Sequence, residues 1–98
     1  MTTMLGVSLA GRDVLMVGAG PVAARRLDRF LEDGARVRIV SPALSDEVAE
    51  RVRLHRLDWM PRTATPDDVE GAWLVHTATG DSRADAVIAG ACEQRRIL

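Results

Sequence analysis

The chain has 98 residues, 47% of them apolar, and a net charge of −1. That length supports one domain with a modest core, and the charge balance provides no bulk field for nucleic acid or an anionic membrane. One cysteine, Cys92, excludes an internal disulfide and points to a reducing, cytoplasmic setting, while no apolar run approaches the roughly 18 residues of a membrane span and the N-terminus lacks the basic start and apolar stretch of a secretory signal.

Asp13–Val17, "DVLMV", is a short apolar run that ends at glycine and reads as a buried strand. Pro21 to Asp33 reads as a helix. Pro21 suits the first turn, where its missing N–H costs nothing, and Gly34 is the expected stop. Ala23, Leu27, Phe30 and Leu31 share one face of it. Arg25, Asp28, Arg29 and Glu32 lie elsewhere, at spacings that allow pairing. Arg36–Val40 predicts a second strand, closed by Ser41-Pro42. Ser45 is a candidate N-cap for a helix to about Val52, with acid loaded into its first turn.

Leu54–Leu57, "LHRL", reads as a weaker strand, followed by a turn-rich connection with one helical turn at Pro66 to Glu70. Trp73–Thr77 is the next strand. Asp81 or Ser82 can cap a helix to about Gln94, with Arg95 and Arg96 at its C-terminal end, where positive charge is favoured. Ile97-Leu98 resembles the start of a further strand, which suggests a piece of something longer. Strands alternating with helices imply a Rossmann-like, doubly wound α/β domain over residues 1–98. Its parallel sheet would have about five strands, the last truncated.

The turn after the first strand is Gly18-Ala19-Gly20-Pro21-Val22-Ala23. In a GxGxxA turn the first glycine lets the chain leave the strand sharply. The second lets a pyrophosphate approach the backbone, and the alanine lets the helix pack close. The helix N-terminus adds free N–H groups and the positive end of its dipole. A strand before and a helix after supply the context that a dinucleotide site needs. A purely structural glycine turn is the competing reading. A triphosphate P-loop is excluded, since no Gly-Lys-Ser/Thr follows. The second strand ends in Ser41-Pro42, where a carboxylate for the adenosine ribose would be expected. Ser41 could bond the ribose, and Pro42-Ala43 could pack on adenine. The missing glutamate argues against FAD. Arg36 and Arg38 read as solvated or ion-paired, which favours NAD over NADP.

Other residues have ordinary readings beside functional ones. His76 reads as a packed strand residue that could face substrate. His55 reads as a surface residue, Cys92 as a buried apolar group without metal-spaced partners, and Trp59 and Trp73 as packing residues. Asp67 and Asp68 read as cap and surface. Asp81 could both cap the last helix and face the crevice. Arg25, Arg26 and Arg29 form a solvated helix face from which Arg25 could reach a substrate carboxylate.

Three segments together are more specific than the glycines: "LAGRDVLMVGAGPVAARRLDRFLEDGARVRIVSP", "DDVEGAWLVHTATGD" and "CEQRRIL". From about Leu9 to Leu98 the chain resembles the N-terminal module of siroheme synthase, the precorrin-2 dehydrogenase/sirohydrochlorin ferrochelatase family. The Ser41-Pro42 ending is usual in that family. The resemblance implies NAD as cofactor, oxidation of the tetrapyrrole precorrin-2 to sirohydrochlorin, Fe2+ insertion in the complete enzyme, and a homodimer built through segments outside this sequence. It places Gly18, Ala19, Gly20, Pro21 and Val22 against pyrophosphate and ribose. Ser41, Pro42 and Ala43 would flank the adenosine, and Thr77, Ala78, Thr79 and Asp81 would line the crevice. It implies no metal ligands and no catalytic residue here, the family's acid/base aspartate lying past Leu98. His76 stands where the family would have an apolar residue. The reading from another class is a non-catalytic nucleotide-sensing module.

Overall fold

A computed structural model of the chain describes residues 8–98. Strand β1 (Asp13–Val17) leads to helix α1 (Ala23–Glu32), and β2 (Arg36–Val40) to α2 (Asp46–His55). The short β3 (Asp58–Met60) is followed by a 3-10 turn at Pro66–Val69, then β4 (Leu74–Thr77) and α3 (Ser82–Arg95). The four strands form one parallel sheet in the order β3-β2-β1-β4. The chain winds outward from β1 to β3 and then crosses back to lay β4 on the other side of β1. The strand order therefore reverses between β1 and β4, which in such sheets is where a crevice opens beyond the C-terminal strand ends. Register aligns those ends: Val17 pairs with Val40 and Thr77, and Val40 with Met60.

The apolar run in β1 is continuous because both faces of the sheet are covered. Val14 and Met16 pack under α1 and α2 with Leu27, Phe30, Ile39 and Val48. Leu15 and Val17 pack with Val40, Val69, Ile88, Ala91 and Cys92 on the α3 side. Ala23 is 1% exposed, so the start of α1 lies close on the sheet.

Three expectations are corrected. The third strand is Asp58–Met60, not Leu54–Leu57, because α2 runs on to His55. Val48 and Val52, one turn apart, keep its apolar stripe on the core, and Arg56 closes it in a left-handed conformation (φ 53°), donating to the Val52 carbonyl. Helix α1 starts at Ala23 rather than Pro21: Gly20 to Val22 form a tighter lead-in turn, with the Ala23 amide on the Gly20 carbonyl at 3.0 Å. The sheet has four strands rather than five. Leu98 nevertheless takes the fifth position, its amide donating to Trp73 at 3.3 Å and its carbonyl accepting from Val75 at 2.7 Å, two rungs of a parallel ladder on the free edge of β4.

Candidate functional site

The last rungs of the sheet set the geometry. Gly18 donates to the Val40 carbonyl at 3.1 Å and Ala78 to the Val17 carbonyl at 2.8 Å. The loops after β1 and β4 are thereby pressed together, and Gly18, at φ 99°, sits where a Cβ would overlap the Ala78 peptide. Gly20 differs: a Cβ built on it would meet nothing within 4 Å. The missing side chain at Gly20 therefore leaves room for a ligand and makes none for the protein. Among the described residues, the amides of Ala19, Gly20 and Val22 donate to no protein group. They lie at the N-terminal end of α1, where the helix dipole adds a favourable potential for an anion.

The turn that carries these amides lines a cleft of about 730 Å3. Its walls are the β1–α1 turn, the segment after β2, the loop after β4 and the start of α3, with Thr63 and Ala64 from the connection after β3. All the residues expected there line it except Thr77. Thr77 pairs in register with Val17, and its side lies on the α3 face, where it borders a separate groove with Val75, Ile88 and Cys92. Strand alternation sends it there, and the crevice begins one residue later, at Ala78.

Ser41 is 6% exposed. Its hydroxyl donates to the Ala43 carbonyl at 2.7 Å, and its carbonyl accepts the Trp59 indole N–H at 2.9 Å. The Ser41 oxygen keeps a lone pair, so it can accept from a ribose hydroxyl but has no proton to offer. On the opposite wall, Asp81 Oδ1 accepts from the amides of Arg83 (2.9 Å) and Ala84 (3.2 Å), capping α3. Thr79 donates its hydroxyl to Asp85 at 2.8 Å and accepts from the Asp81 amide at 3.0 Å. Asp81 is the sole charged residue lining the cleft among the described residues. Arg38 is held by the carbonyls of Asp68 (2.9 Å) and Glu70 (2.8 Å), and Arg36 pairs with Asp13 at the far end of the sheet. Neither arginine reaches the adenosine side.

His76 is half-buried on the α1 face of β4, edge-to-face with Phe30 at 6.0 Å between ring centroids. Burial, then the Arg26 charge, lowers its pKa from the usual value, with a smaller opposing effect from Asp85. Asp68 is a structural carboxylate: it accepts from the Thr65 amide at 2.6 Å and pairs with Arg62, which holds it at about 2. Asp67 is exposed, 3.7 Å from Arg95. Arg12 stacks on Trp73, 4.2 Å from the ring centroid. Cys92 is buried, its thiol pushed up by burial. Among the described residues no three His, Cys, Asp or Glu groups gather as a metal site, and no helix is long and apolar enough to cross a membrane.

Gly80, within the expected Thr77–Asp81 segment, lines the cleft, while Ser45, Thr63, Ala64 and Ala84 line it without having been expected from the sequence. Ser45 had a signal, its N-cap role: the hydroxyl accepts from Val48 at 3.3 Å, and the Ser45 amide ties α2 to the glycine turn through the Ala19 carbonyl at 2.9 Å. Thr63 and Ala64 come from an irregular connection that carries no positional signal.

The profile of the family described as "Putative NAD(P)-binding" matches residues 5–98. The chain is 37% identical over 90 residues to "Siroheme synthase 1" of Pectobacterium atrosepticum, a match covering 92% of this chain and 19% of that protein. It is 36% identical over 94 residues to "Siroheme synthase 1" of Yersinia enterocolitica, covering 96% and 20%. It thus spans about a fifth of the length of these curated relatives. Among solved structures, "SirC, precorrin-2 dehydrogenase" superposes with a TM-score of 0.82 at 28% identity, over 90% of this chain and 44% of that one.

Proposed function

Because the chain belongs to this NAD(P)-binding family, in the siroheme synthase branch, we propose that it is the NAD-binding part of a precorrin-2 dehydrogenase. Such an enzyme oxidises precorrin-2 to sirohydrochlorin in siroheme synthesis. The observation that carries the reading is that, among the described residues, the amides of Ala19, Gly20 and Val22 donate to no protein group in a turn that lines the cleft, where a Cβ on Gly20 would meet open space. That cradle fits a pyrophosphate, which needs donors and close backbone approach rather than side-chain cations. Bound NAD supplies the acceptor for the hydride that leaves the reduced macrocycle.

This chain's residues bind, orient and exclude water. The turn amides hold the phosphates. Ser41 accepts from a ribose hydroxyl, and Pro42 and Ala43 flank the adenine. Ala78 and Thr79 wall the cleft where β1 and β4 diverge. Asp81 caps α3 through Oδ1 and borders the cleft, and we assign it no proton-transfer role. Among the described residues no cation lines the cleft, and Arg62, close to the β2 end, is paired with Asp68, so a 2′-phosphate finds no free partner and NAD is the preferred dinucleotide. Iron insertion into the product and a cytoplasmic setting extend the same reading, the first supported by the siroheme synthase names and the second by the lone buried cysteine, and a homodimer is proposed with them from the resemblance alone.

A nucleotide-sensing module would share the cleft, but the names of the relatives favour the dehydrogenase. The test is NADH formation from precorrin-2 by the full protein containing this chain, alongside calorimetric titration of the chain with NAD+. NADH formation dependent on Gly20 is the expected result. Failure of NAD+ to bind overturns the proposal.

A further inference from the structure

A second groove of about 450 Å3 lies between α1 and β4, bordered by Val22, Arg25, Arg26, Asp28, Arg29 and His76. It meets the cofactor cleft at Val22, an apolar residue that lines both and is 82% exposed. Its charge is unbalanced. Arg51 and Asp28 are joined by two hydrogen bonds, Nε to Oδ1 at 2.9 Å and Nη2 to Oδ2 at 3.1 Å, so the groove's one carboxylate is already neutralised from outside. Arg25, Arg26 and Arg29 make no ion pair or side-chain hydrogen bond among the described residues. His76 adds a half-buried wall.

We propose that this groove binds the peripheral carboxylates of a polycarboxylate tetrapyrrole through Arg25, Arg26 and Arg29, with the macrocycle lying across Val22 toward the cofactor cleft. The proposal rests on the reading of that cleft as the NAD site and names where the other reactant is gripped. Arg25 and Arg29 are one helical turn apart and Arg26 and Arg29 three residues apart, which places Cβ atoms about 5–6 Å from one another. Guanidinium forks at that spacing, on long side chains, match carboxylates spread round a ring, and each fork can take a carboxylate bidentately. The cofactor cleft has amides and no cation, while the adjoining groove has cations to spare. Two ligands of different anionic character therefore have separate seats that touch at Val22.

The probe is uroporphyrin, a fully carboxylated porphyrin, titrated by fluorescence into the chain with saturating NAD+ at fixed ionic strength. Coproporphyrin, with half as many carboxylates, serves as comparison. The expected result is weaker coproporphyrin binding and about a tenfold loss of uroporphyrin affinity in the double variant R25A/R29A, the size expected from two partly solvated charge-assisted contacts. NAD+ affinity should be unchanged in that variant, and R53A, on the far helix, should match the parent chain. Equal uroporphyrin affinity in R25A/R29A and the parent, or an equal loss in R53A, overturns the proposal. Arginine-dependent porphyrin binding by a chain that fails to bind NAD+ would uphold the groove and strike only the cofactor reading.

Discussion

The two glycines of the β1–α1 turn should answer to the same substitution in opposite ways. In Gly18→Ala the new Cβ would lie 2.5 Å from the Ala78 carbonyl carbon and 2.8 Å from the Thr79 nitrogen, both main-chain atoms with no freedom to swing aside. The left-handed φ of 99° costs a further amount, about 1–2 kcal/mol for a residue with a Cβ. Displacing the facing backbone costs about 1–3 kcal/mol, so the total is roughly 2–5 kcal/mol. A chain of this size is stable by roughly 5–15 kcal/mol, so the loss is severe and should lower the melting temperature by at least ~10 °C. In Gly20→Ala the methyl meets nothing, and the backbone is not in the left-handed region. Folding stability should hold or rise by up to ~1 kcal/mol through the unfolded chain. The methyl instead occupies the cradle, and NAD+ affinity should fall at least about tenfold, the equivalent of one lost charge-assisted hydrogen bond. Urea denaturation and calorimetric titration of both variants separate the two effects. A Gly20→Ala protein with unaltered NAD+ affinity would refute the cradle, and a Gly18→Ala protein with unaltered melting would refute the close approach of the two loops.

Asp68 sits at about 2 against an ordinary 3.8, because Arg62 and the Thr65 amide favour its charged form. That pairing adds on the order of 2 kcal/mol above pH 4. The contribution fades as pH falls through about 2, and Asp68→Asn should flatten that part of a stability–pH curve. Asp81→Ala should cost α3 about 1 kcal/mol of cap energy and Asp81→Asn almost none. Equal destabilisation in denaturant titrations of the two would mean the carboxylate charge, not the cap, matters. NADP+ should bind less tightly than NAD+, and Ala43→Arg should narrow the gap by about tenfold, the worth of one charge-assisted phosphate contact. Equal affinities in the unaltered chain would mean that a guanidinium, Arg62 released from Asp68 being the nearest to the β2 end, reaches the 2′-phosphate after all.

Elements whose signal is local were legible in the sequence. β1 falls on its predicted bounds as an unbroken apolar run ending at Gly18, and β2, with Val37, Ile39 and Val40 apolar between arginines, ends as expected at Ser41. Ser45 and Asp81 cap helices as their residue types suggest. The third strand was misplaced because "LHRL" and "DWM" are both too short for periodicity to choose between, and the choice is made by α2 continuing over Val52. The resemblance implies a crevice place for Thr77, but which face a strand residue takes depends on register with β1, and that is a tertiary fact. The engagement of Arg38 with carbonyls of the 3-10 turn belongs to the same class, since nothing local links residues thirty positions apart.

The distribution of cations carries the remaining argument. The composition offers thirteen arginines and no lysine, yet the cleft beside the unpaired amides contains none. Four arginines, at 36, 51, 62 and 95, are committed to carboxylates, and Arg38 to main-chain carbonyls. An anion in the cleft must therefore be held by N–H dipoles fixed in place by the turn. That favours a ligand whose charge is diffuse and whose approach is close, such as a phosphodiester pair, over a carboxylate that would draw a guanidinium. The uncommitted arginines that border a groove, 25, 26 and 29, lie one helix face away. Had the amides been needed only to turn the chain, a cation in the cleft would have been harmless. Among the described residues, its absence there beside its abundance next door is the distribution that the two proposed ligands would use.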